Sequence, residues 1–232
     1  MLFLTIPKKE NKITWFNAQN LRNPENTLSI TGLPSGEKVI SIDYRPATGQ
    51  LYDLGISSRL YLINEQSGMA TALGEGSFSP GIMGDNASID FNPTVDRIRL
   101  VTNTGQNFRL HPDLGTVVAI DGDLKPGDPW VNGAAYANNI PNAATTELFV
   151  LDSKINKLFK QDPPNEGELE EIGDLGTSIN SGNCFDIGSD SGMAYALVKA
   201  DGSYGIYTVN LHTGKITRTA DFKFDVVSMS VG

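Results

Sequence analysis

Cysteine and histidine are nearly absent from this chain of 232 residues, which contains one Cys and two His. The single Cys184 cannot form an intramolecular disulfide, and it cannot by itself build a Cys-based zinc site. With only His111 and His212 available, a His-rich metal centre is excluded, and a Ser-His-Asp site would have to use one of these two. No motif places either histidine beside a serine and a base, so the sequence does not predict nucleophilic catalysis.

Positive charge and long apolar runs are also scarce. The chain has 18 Lys and Arg residues against 27 Asp and Glu, a formal net charge of −9. An acidic chain repels phosphate backbones, so we expect no nucleic-acid partner. No apolar run approaches the roughly 18 residues of a membrane span, so no span is expected. In MLFLTIPKKENK the basic residues follow the apolar ones, the reverse of a signal peptide, and the sequence leaves the localisation unknown.

Hydrophobic residues make up 39% of the chain and alternate with polar ones at period two through most of it. Clear examples are RLYLIN (59–64), RIRLVT (97–102), ELFVLD (147–152) and GIYTVN (205–210). This period predicts β-strands, and no segment sustains the helical period of 3.6 with caps. The 24 Gly and 12 Pro suit short strands joined by turns. The sequence therefore predicts an all-β protein.

A repeat runs through the chain. The segments IDYRPATGQLY (42–52), IDFNPTVDRIR (89–99) and FDIGSDSGMAY (185–195) align without a gap. Asp43, Asp90 and Asp186 hold equivalent places, separated by 47 and then 96 positions. A further copy is expected near residue 137, where Ala135 replaces the aspartate. A period near 47 residues is the length of one four-stranded propeller blade.

The phase of the repeat predicts how the ring closes. The N-terminus supplies three strands without a first one, and VVSMSVG at the C-terminus leaves one strand over. We predict a single domain over residues 1–232, a five-bladed β-propeller of four-stranded antiparallel blades, in which residues 226–231 pair with residues 2–6. The expected blades are 226–232 plus 1–33, 37–74, 86–124, 131–176 and 180–224. A β-sandwich is the alternative, but it explains neither the period nor the phase.

Two long phrases, IDYRPATGQLY and DFNPTVDRIRLVTNTGQNFRLHPDLG, resemble the bacterial domain of unknown function DUF4394. The resemblance covers most of residues 27–231 and is densest over 38–124. It implies a propeller-like fold, in agreement with the period, and it implies no known activity or catalytic residue. It also implies export as a property of the family, because members often carry export signals, which this chain does not show.

The densest polar stretch follows Asp90 and supplies a first candidate site. An anion or polyol site at a mouth of the channel would use Arg97, Arg99, Asn103, Gln106, Asn107 and Arg109. The structural alternative, which we favour, places Arg97 and Arg99 on one face of an inner strand and pairs them with carboxylates across blades. The expected partners are Asp90, Asp96 and Asp113. In that case Arg97 or Arg99 is largely buried.

The three equivalent aspartates supply a second candidate site. Asp43, Asp90 and Asp186 fall on the strand that lines the axis, and three carboxylates around a channel suit a hard cation such as Ca²⁺. The alternative, which we favour, is that each accepts hydrogen bonds from its own following turn. Because Ala135 and the SMS segment (228–230) interrupt the ring, we expect the three not to converge within one coordination sphere. We expect no cofactor, with Ca²⁺ as the one candidate.

For function, the sequence favours a non-catalytic binding or scaffold module that uses one face of the propeller, with an unknown small molecule or protein as its partner. The reason is that no nucleophile with its base, no His cluster and no phosphate-binding loop is recognisable. The alternative is a Ca²⁺-dependent hydrolase, similar to lactonases, that uses Asp90, Asn92 and Asp186 around a central ion. The sequence thus does not decide whether the protein is an enzyme, and it favours a protein without catalytic activity.

Overall fold

The protein is a five-bladed β-propeller, as the repeat predicts. The computed structural model describes residues 1–179 and 184–232. In this part of the chain, twenty strands form five four-stranded antiparallel sheets. In each sheet one edge strand lies at the axis and the other three strands follow it outwards. The innermost strands of neighbouring sheets contact one another around the axis, and the ring is closed.

The blades have the following strands. Blade one consists of β1 (Leu2–Pro7), β2 (Lys12–Asn17), β3 (Asn26–Ser29) and the C-terminal β20 (Val226–Val231). Blade two consists of β4 (Val39–Arg45), β5 (Gln50–Gly55), β6 (Arg59–Ile63) and β7 (Ala70–Ala72). Blade three consists of β8 (Ala87–Asn92), β9 (Arg97–Thr102), β10 (Asn107–Leu110) and β11 (Val117–Ile120). Blade four consists of β12 (Val131–Tyr136), β13 (Leu148–Asp152), β14 (Lys157–Gln161) and β15 (Leu169–Asp174). Blade five consists of β16 (Phe185–Ile187), β17 (Ala194–Ala200), β18 (Ser203–Val209) and β19 (Ile216–Asp221). The predicted start of blade five, residues 180–183, lies outside the described residues.

The C-terminal strand closes the ring within blade one. β20 is antiparallel to β1, with Phe3 opposite Val231 and Thr5 opposite Met229. The backbone N–H of Leu2 donates to the Gly232 carbonyl at 3.1 Å. The predicted pairing of residues 226–231 with residues 2–6 is confirmed, and both chain ends are held in one sheet.

Apolar side chains fill the spaces between neighbouring blades. Between blades two and three, Tyr52 and Leu54 pack with Phe91 and Leu100. The rings of Tyr52 and Phe91 meet edge to face, with centroids 5.0 Å apart. Because both faces of a blade are covered, the inner strands are buried along nearly their whole length, and β12 is buried at every residue.

The outer edges of the blades are linked by main-chain hydrogen bonds. After β3, Thr31 accepts from the Ala70 N–H at 2.9 Å and donates to the Gly68 carbonyl at 3.0 Å in blade two. Gly68 has φ +74, and a Cβ there would lie 2.3 Å from the Ser29 carbonyl oxygen, so only glycine fits. Such pairing occupies edge groups that would otherwise be free to bind another chain.

Helix is nearly lacking from the described residues, where it is represented by the three-residue 3₁₀ segment Pro164–Glu166. No helix in that part of the chain has the length and apolar character to cross a membrane.

Candidate functional site at the propeller axis

Three buried aspartates converge on the axis. Asp43 lies on β4, Asp90 on β8 and Asp186 on β16, each on the innermost strand of its blade. One carboxylate oxygen of each lies within 4.8 Å of the other two. The expectation that these side chains do not converge is therefore wrong. Five blades leave a narrow axis, and the equivalent residues of the other two blades, Ser230 and Ala135, are too small to hold the carboxylates apart.

Each aspartate binds the next blade. Asp43 Oδ2 accepts from the Phe91 N–H at 2.8 Å, and Asp90 Oδ1 accepts from the Tyr136 N–H at 2.9 Å. The donors lie 48 and 46 positions further along the chain, one repeat away. Asp43 and Asp186 also accept from the Tyr44 and Ile187 N–H groups, at 2.8 and 2.6 Å. These amides lie on the same strands as the aspartates and not in the following turns, so the expected contacts to the turns are wrong. An innermost strand is the edge of its own sheet, so its axis-facing amides need acceptors from the neighbouring blade.

Serines two positions before the aspartate sites also accept hydrogen bonds from amides of the next blade, and together they form a serine ring around the axis. The sequence analysis did not predict this ring. Ser41 Oγ accepts from the Ile89 N–H at 3.0 Å, and Ser88 Oγ accepts from the Ala134 N–H at 3.1 Å. Ser228 Oγ accepts from the Ile42 N–H at 3.0 Å. The signal was present in the sequence, because a serine precedes Asp43, Asp90 and Ser230 by two positions in each case.

The electrostatics of the aspartates follow from their burial. Removal from water raises the pKa of Asp43 well above its ordinary value, and the nearby charge of Asp186 raises it further, although N–H donors oppose the shift. Burial likewise raises the pKa of Asp90, with added repulsion from Asp43 and Asp186. Burial raises the pKa of Asp186 to about 6. Three negative charges this close repel, so a proton or a cation must offset them.

A cavity of about 290 Å³ lies beside the aspartates, where the innermost strands end. Four blades line it with Tyr44, Arg45, Pro46, Gly49, Asn139, Ile140, Pro141, Ser189, Asp190, Ser230, Val231 and Gly232. Ser230 connects the cavity to the carboxylates, because its hydroxyl donates to Asp186 Oδ2 at 3.0 Å and lies 3.5 Å from Asp43 Oδ1. Ser230 therefore connects the cavity wall to the aspartate cluster, although none of the three aspartates lines the cavity itself.

One polar group in the cavity wall is unsatisfied. Asn139 is 9% exposed, and its Oδ1 is buried without a hydrogen-bond partner among the described residues. Such groups are rare in folded proteins, because leaving a buried acceptor unpaired costs about 1–3 kcal/mol. The amide oxygen of Asn139 is thus a buried acceptor without a donor among the described residues.

The opposite wall is held firmly by ion pairs and hydrogen bonds. The Tyr44 hydroxyl donates to Glu65 Oε2 at 2.5 Å. Arg45 binds Asp96 through two nitrogens and Asp113 at 2.6 Å, both in blade three. Asp96 and Asp113, which were expected to pair with Arg97 or Arg99, therefore bind Arg45. These contacts fix the shape of the cavity before any ligand arrives.

The structure does not bring the six polar residues of the first candidate site together, and Arg99 is the most deeply buried of its arginines. Arg99 is buried and pairs with Asp121 at 2.6 Å, so the predicted burial and carboxylate pairing are confirmed. Its predicted partners are wrong, because Asp121 lies after β11 at the outer side of the same blade. Arg99 also donates to Asn107 Oδ1 and to Asn165 Oδ1, each at 2.7 Å. This arginine thus joins blade three to blade four.

The other five polar residues of that set have protein partners of their own. Arg109 pairs with Asp121 at 2.8 Å, so it meets Arg99 and Asn107 at one place. The remaining contacts are Asn103 to Asp85, Gln106 to the Gly81 carbonyl, and Arg97 to the Asp96 carbonyl. None of the six lines the axial cavity. The structure therefore does not bring them together as a single ligand site at the mouth.

Two solved structures resemble this chain at low sequence identity. The dihydro-heme d1 dehydrogenase NirN in complex with DHE matches at 12% identity and a TM-score of 0.47, over 95% of this chain and 43% of that chain. A functionally unknown protein from Desulfotomaculum acetoxidans DSM 771 matches at 14% identity and a TM-score of 0.49, over 97% of this chain and 67% of that chain. At these scores neither likeness carries an argument about function. No curated protein matches the sequence.

The sequence itself gives a definite assignment. The family model described as a domain of unknown function, DUF4394, matches residues 12–230 and so includes strands of all five blades. This match confirms the resemblance carried by the repeated IDY and IDF segments. The chain belongs to the DUF4394 family.

Proposed function

We propose that the protein is a non-catalytic binding module that takes a small polyhydroxylated molecule in the axial cavity. The observation that carries the proposal is the buried Asn139 Oδ1, which has no donor among the described residues although it belongs to the cavity wall. A ligand hydroxyl at this place would donate to it. The gain would come from removing the cost of an unpaired buried acceptor.

The size and lining of the cavity support a small polar ligand. Its volume of about 290 Å³ is close to the lower end of the roughly 300–1,000 Å³ typical of ligand pockets. The hydroxyls of Ser189 and Ser230 and the carboxylate of Asp190 add donors and acceptors to the wall. Groups of this kind form hydrogen bonds with the hydroxyls of a polyol or a monosaccharide.

The described lining residues also support binding rather than nucleophilic catalysis. None of them is His, Cys or Lys. The Ser230 hydroxyl donates to Asp186, and no imidazole or amine in that lining is placed to take its proton.

A Ca²⁺-dependent hydrolase is the second candidate, and the convergence of Asp43, Asp90 and Asp186 favours it. Asn92, the remaining residue expected to take part, is used elsewhere, since its Oδ1 accepts from the Thr94 N–H at 2.9 Å within the turn after β8. The loss of this ligand leaves the binding module as the better supported function.

A thermal-shift experiment tests the proposal with glucose, ribose, inositol and glycerol. A ligand of the native state at a hundredfold excess over its Kd stabilises by about 2.7 kcal/mol, so we expect a clear rise in Tm with at least one of them. Ser189→Trp should fill the cavity and abolish the rise. Ser191→Trp is the matched control, because Ser191 is exposed in the same turn and does not line the cavity.

Two outcomes would contradict the proposal. One is a Tm that none of the four compounds changes at high millimolar concentration. The other is a rise that Ser189→Trp leaves intact. For the second candidate, calcium-dependent hydrolysis of a lactone by the wild type, lost in Asp90→Asn, would replace the binding module by the enzyme.

A further inference from the structure

We propose that Asp43, Asp90 and Asp186 bind a divalent cation of the calcium class on the propeller axis, with the Ser230 hydroxyl beside it. The inference deepens the proposed function, on which it rests for one point, namely that the adjoining cavity receives a ligand. Cation binding itself can be measured without that ligand.

The distances between the carboxylates fit one ion. Ca²⁺ binds oxygen at about 2.3–2.6 Å, so two ligand oxygens on opposite sides of it are about 5 Å apart. One oxygen each from Asp43, Asp90 and Asp186 lies within 4.8 Å of the others, so all three can contact the same ion. Mg²⁺ binds oxygen at about 2.0–2.1 Å, and its opposite ligands are only about 4 Å apart. The limit of 4.8 Å accommodates a Ca²⁺ ion at its ordinary oxygen distances.

The carboxylates are also held in place before a cation binds. Amides of the next blade fix them, with Phe91 N–H on Asp43 and Val231 N–H on Asp186 at 2.8 and 2.7 Å. The Tyr136 N–H binds Oδ1 of Asp90, and the described residues supply no donor to Oδ2. Each carboxylate oxygen can accept more than one partner, so these bonds leave capacity for a metal. Because the side chains are already ordered, binding loses little of their conformational entropy.

The cavity supplies an observation independent of the carboxylates. Ca²⁺ takes six to eight oxygen ligands, whereas the three aspartates and the Ser230 hydroxyl provide about four. The cavity adjoins the cluster through Ser230, which lines the cavity and donates to Asp186, so water or a ligand held there would complete the coordination. There the buried Asn139 Oδ1 lacks a donor among the described residues, as expected if a metal-bound water or a ligand hydroxyl donates to it. The unpaired amide thus belongs to the wall of the cavity that adjoins the carboxylates through Ser230.

Calorimetric titration of the EGTA-treated full chain with CaCl₂ near neutral pH tests the inference. We expect one calcium ion per chain, a rise in Tm with Ca²⁺, and weaker binding of Mg²⁺. Asp90→Asn keeps the acceptor for the Tyr136 N–H and should weaken Ca²⁺ binding at least tenfold. Asp53→Asn is the matched control, because Asp53 is also a fully buried aspartate but does not belong to the cluster, and it should leave Ca²⁺ binding unchanged.

The contrary result is a wild type that gives neither heat nor a change in Tm with millimolar Ca²⁺. The three acids would then be neutralised by protons, and the cation site would be wrong. If Asp90→Asn does not fold, Asp186→Asn and terbium luminescence of the wild type provide the same decision. Polyol binding that persists in EGTA, without Ca²⁺ binding, would refute the cation and keep the proposed function. Ca²⁺ binding without any change in Tm on addition of a polyol would refute the proposed function and keep the cation site.

Discussion

The backbone N–H of Val231 donates to Asp186 Oδ2 at 2.7 Å, across 45 positions of sequence. Val231 belongs to β20 and Asp186 to β16, so this contact joins blade five to blade one where the ring closes. Because β20 is the inner edge of its sheet, this amide has no further strand to bind. The carboxylate takes the place of that strand, and closure depends on it together with the pairing of β20 and β1.

Deleting residues 226–232 tests the closure. The deletion removes β20 and exposes the edge of β1 that it covers. We expect a loss of several kcal/mol, a large part of the typical 5–15 kcal/mol, measured by urea unfolding. As a control, Ser228→Ala keeps the strand and removes only the acceptor for the Ile42 N–H, at a cost of about 1–3 kcal/mol. A truncated chain that melts within a degree or two of the full-length protein would show that the strand is dispensable.

Arg99 should be the most important charged residue for stability in blade three. Arg99→Ala leaves the buried Asp121 with only the half-buried Arg109, and it removes the contacts to Asn107 and Asn165. Breaking a buried ion pair costs about 3–5 kcal/mol, so we expect a loss in this range by chemical denaturation.

The matched control for Arg99 is Arg97→Ala on the same strand. Arg97 is only partly buried, and the bond from its Nη1 goes to the carbonyl of the preceding Asp96. Substitutions outside buried networks usually change the free energy of unfolding by no more than about 0.5 kcal/mol, and we expect a change of this size for Arg97→Ala. Equal losses for the two variants would show that the Arg99 network does not stabilise the fold.

The repeat made the fold predictable from the sequence. The order of strands depends on period-two alternation and on turn residues such as Gly49 and Gly192, which are local features repeated along the chain. The leftover strand at the C-terminus followed from the phase alone. No distance between blades was needed for either prediction.

The site was less predictable, because it depends on distances between blades. The convergence of the aspartates requires the width of the axis, which is set by packing and by the small Ala135 and Ser230. The partner of Arg99 required the register across two further strands. Arg99 on β9 lies opposite Arg109 on β10, and Arg109 lies opposite Ala119 on β11. Asp121 is two positions after Ala119, so it lies on the same side of the sheet. The register of β10 and β11 shifts directly beside this position. Period-two alternation gives the face of a residue but not this register.

Asp53 should make stability depend on pH. It is fully buried, and neither carboxylate oxygen has a partner among the described residues. Burial raises the pKa of Asp53 well above its ordinary value, and the charge of Glu37 raises it further. The folded-state pKa of Asp53 therefore exceeds its unfolded value of about 3.9. As a result, the contribution of Asp53 to the free energy of unfolding is fully present below about pH 4, and it is lost as the pH rises through the folded-state pKa.

Asp53→Asn removes this loss. We expect the variant to be more stable than the wild type near neutral pH, by on the order of 1 kcal/mol or more, and the two to be similar near pH 4. Urea unfolding at both pH values measures the difference. Asp128→Asn is the control, since that side chain is 87% exposed and should give no pH-dependent gain. A pH-independent effect of Asp53→Asn would mean that Asp53 does not titrate differently in the folded state.

Gly133 interrupts the serine ring for a steric reason, and restoring the pattern should therefore destabilise the protein. Blades one, two and three carry Ser228, Ser41 and Ser88 at this level. At Gly133 a Cβ would lie 2.6 Å from the Cβ of Phe185 in blade five, closer than real contacts allow. We expect Gly133→Ser to cost about 1–3 kcal/mol by overpacking, measured by urea unfolding, although serine suits a strand better than glycine. Gly76→Ser is the control, because no atom lies within 4 Å of its Cβ position. If Gly133→Ser is as stable as the wild type, β12 and β16 can move apart without a loss of stability. The close approach of blades four and five would then not be the reason that glycine occupies this position.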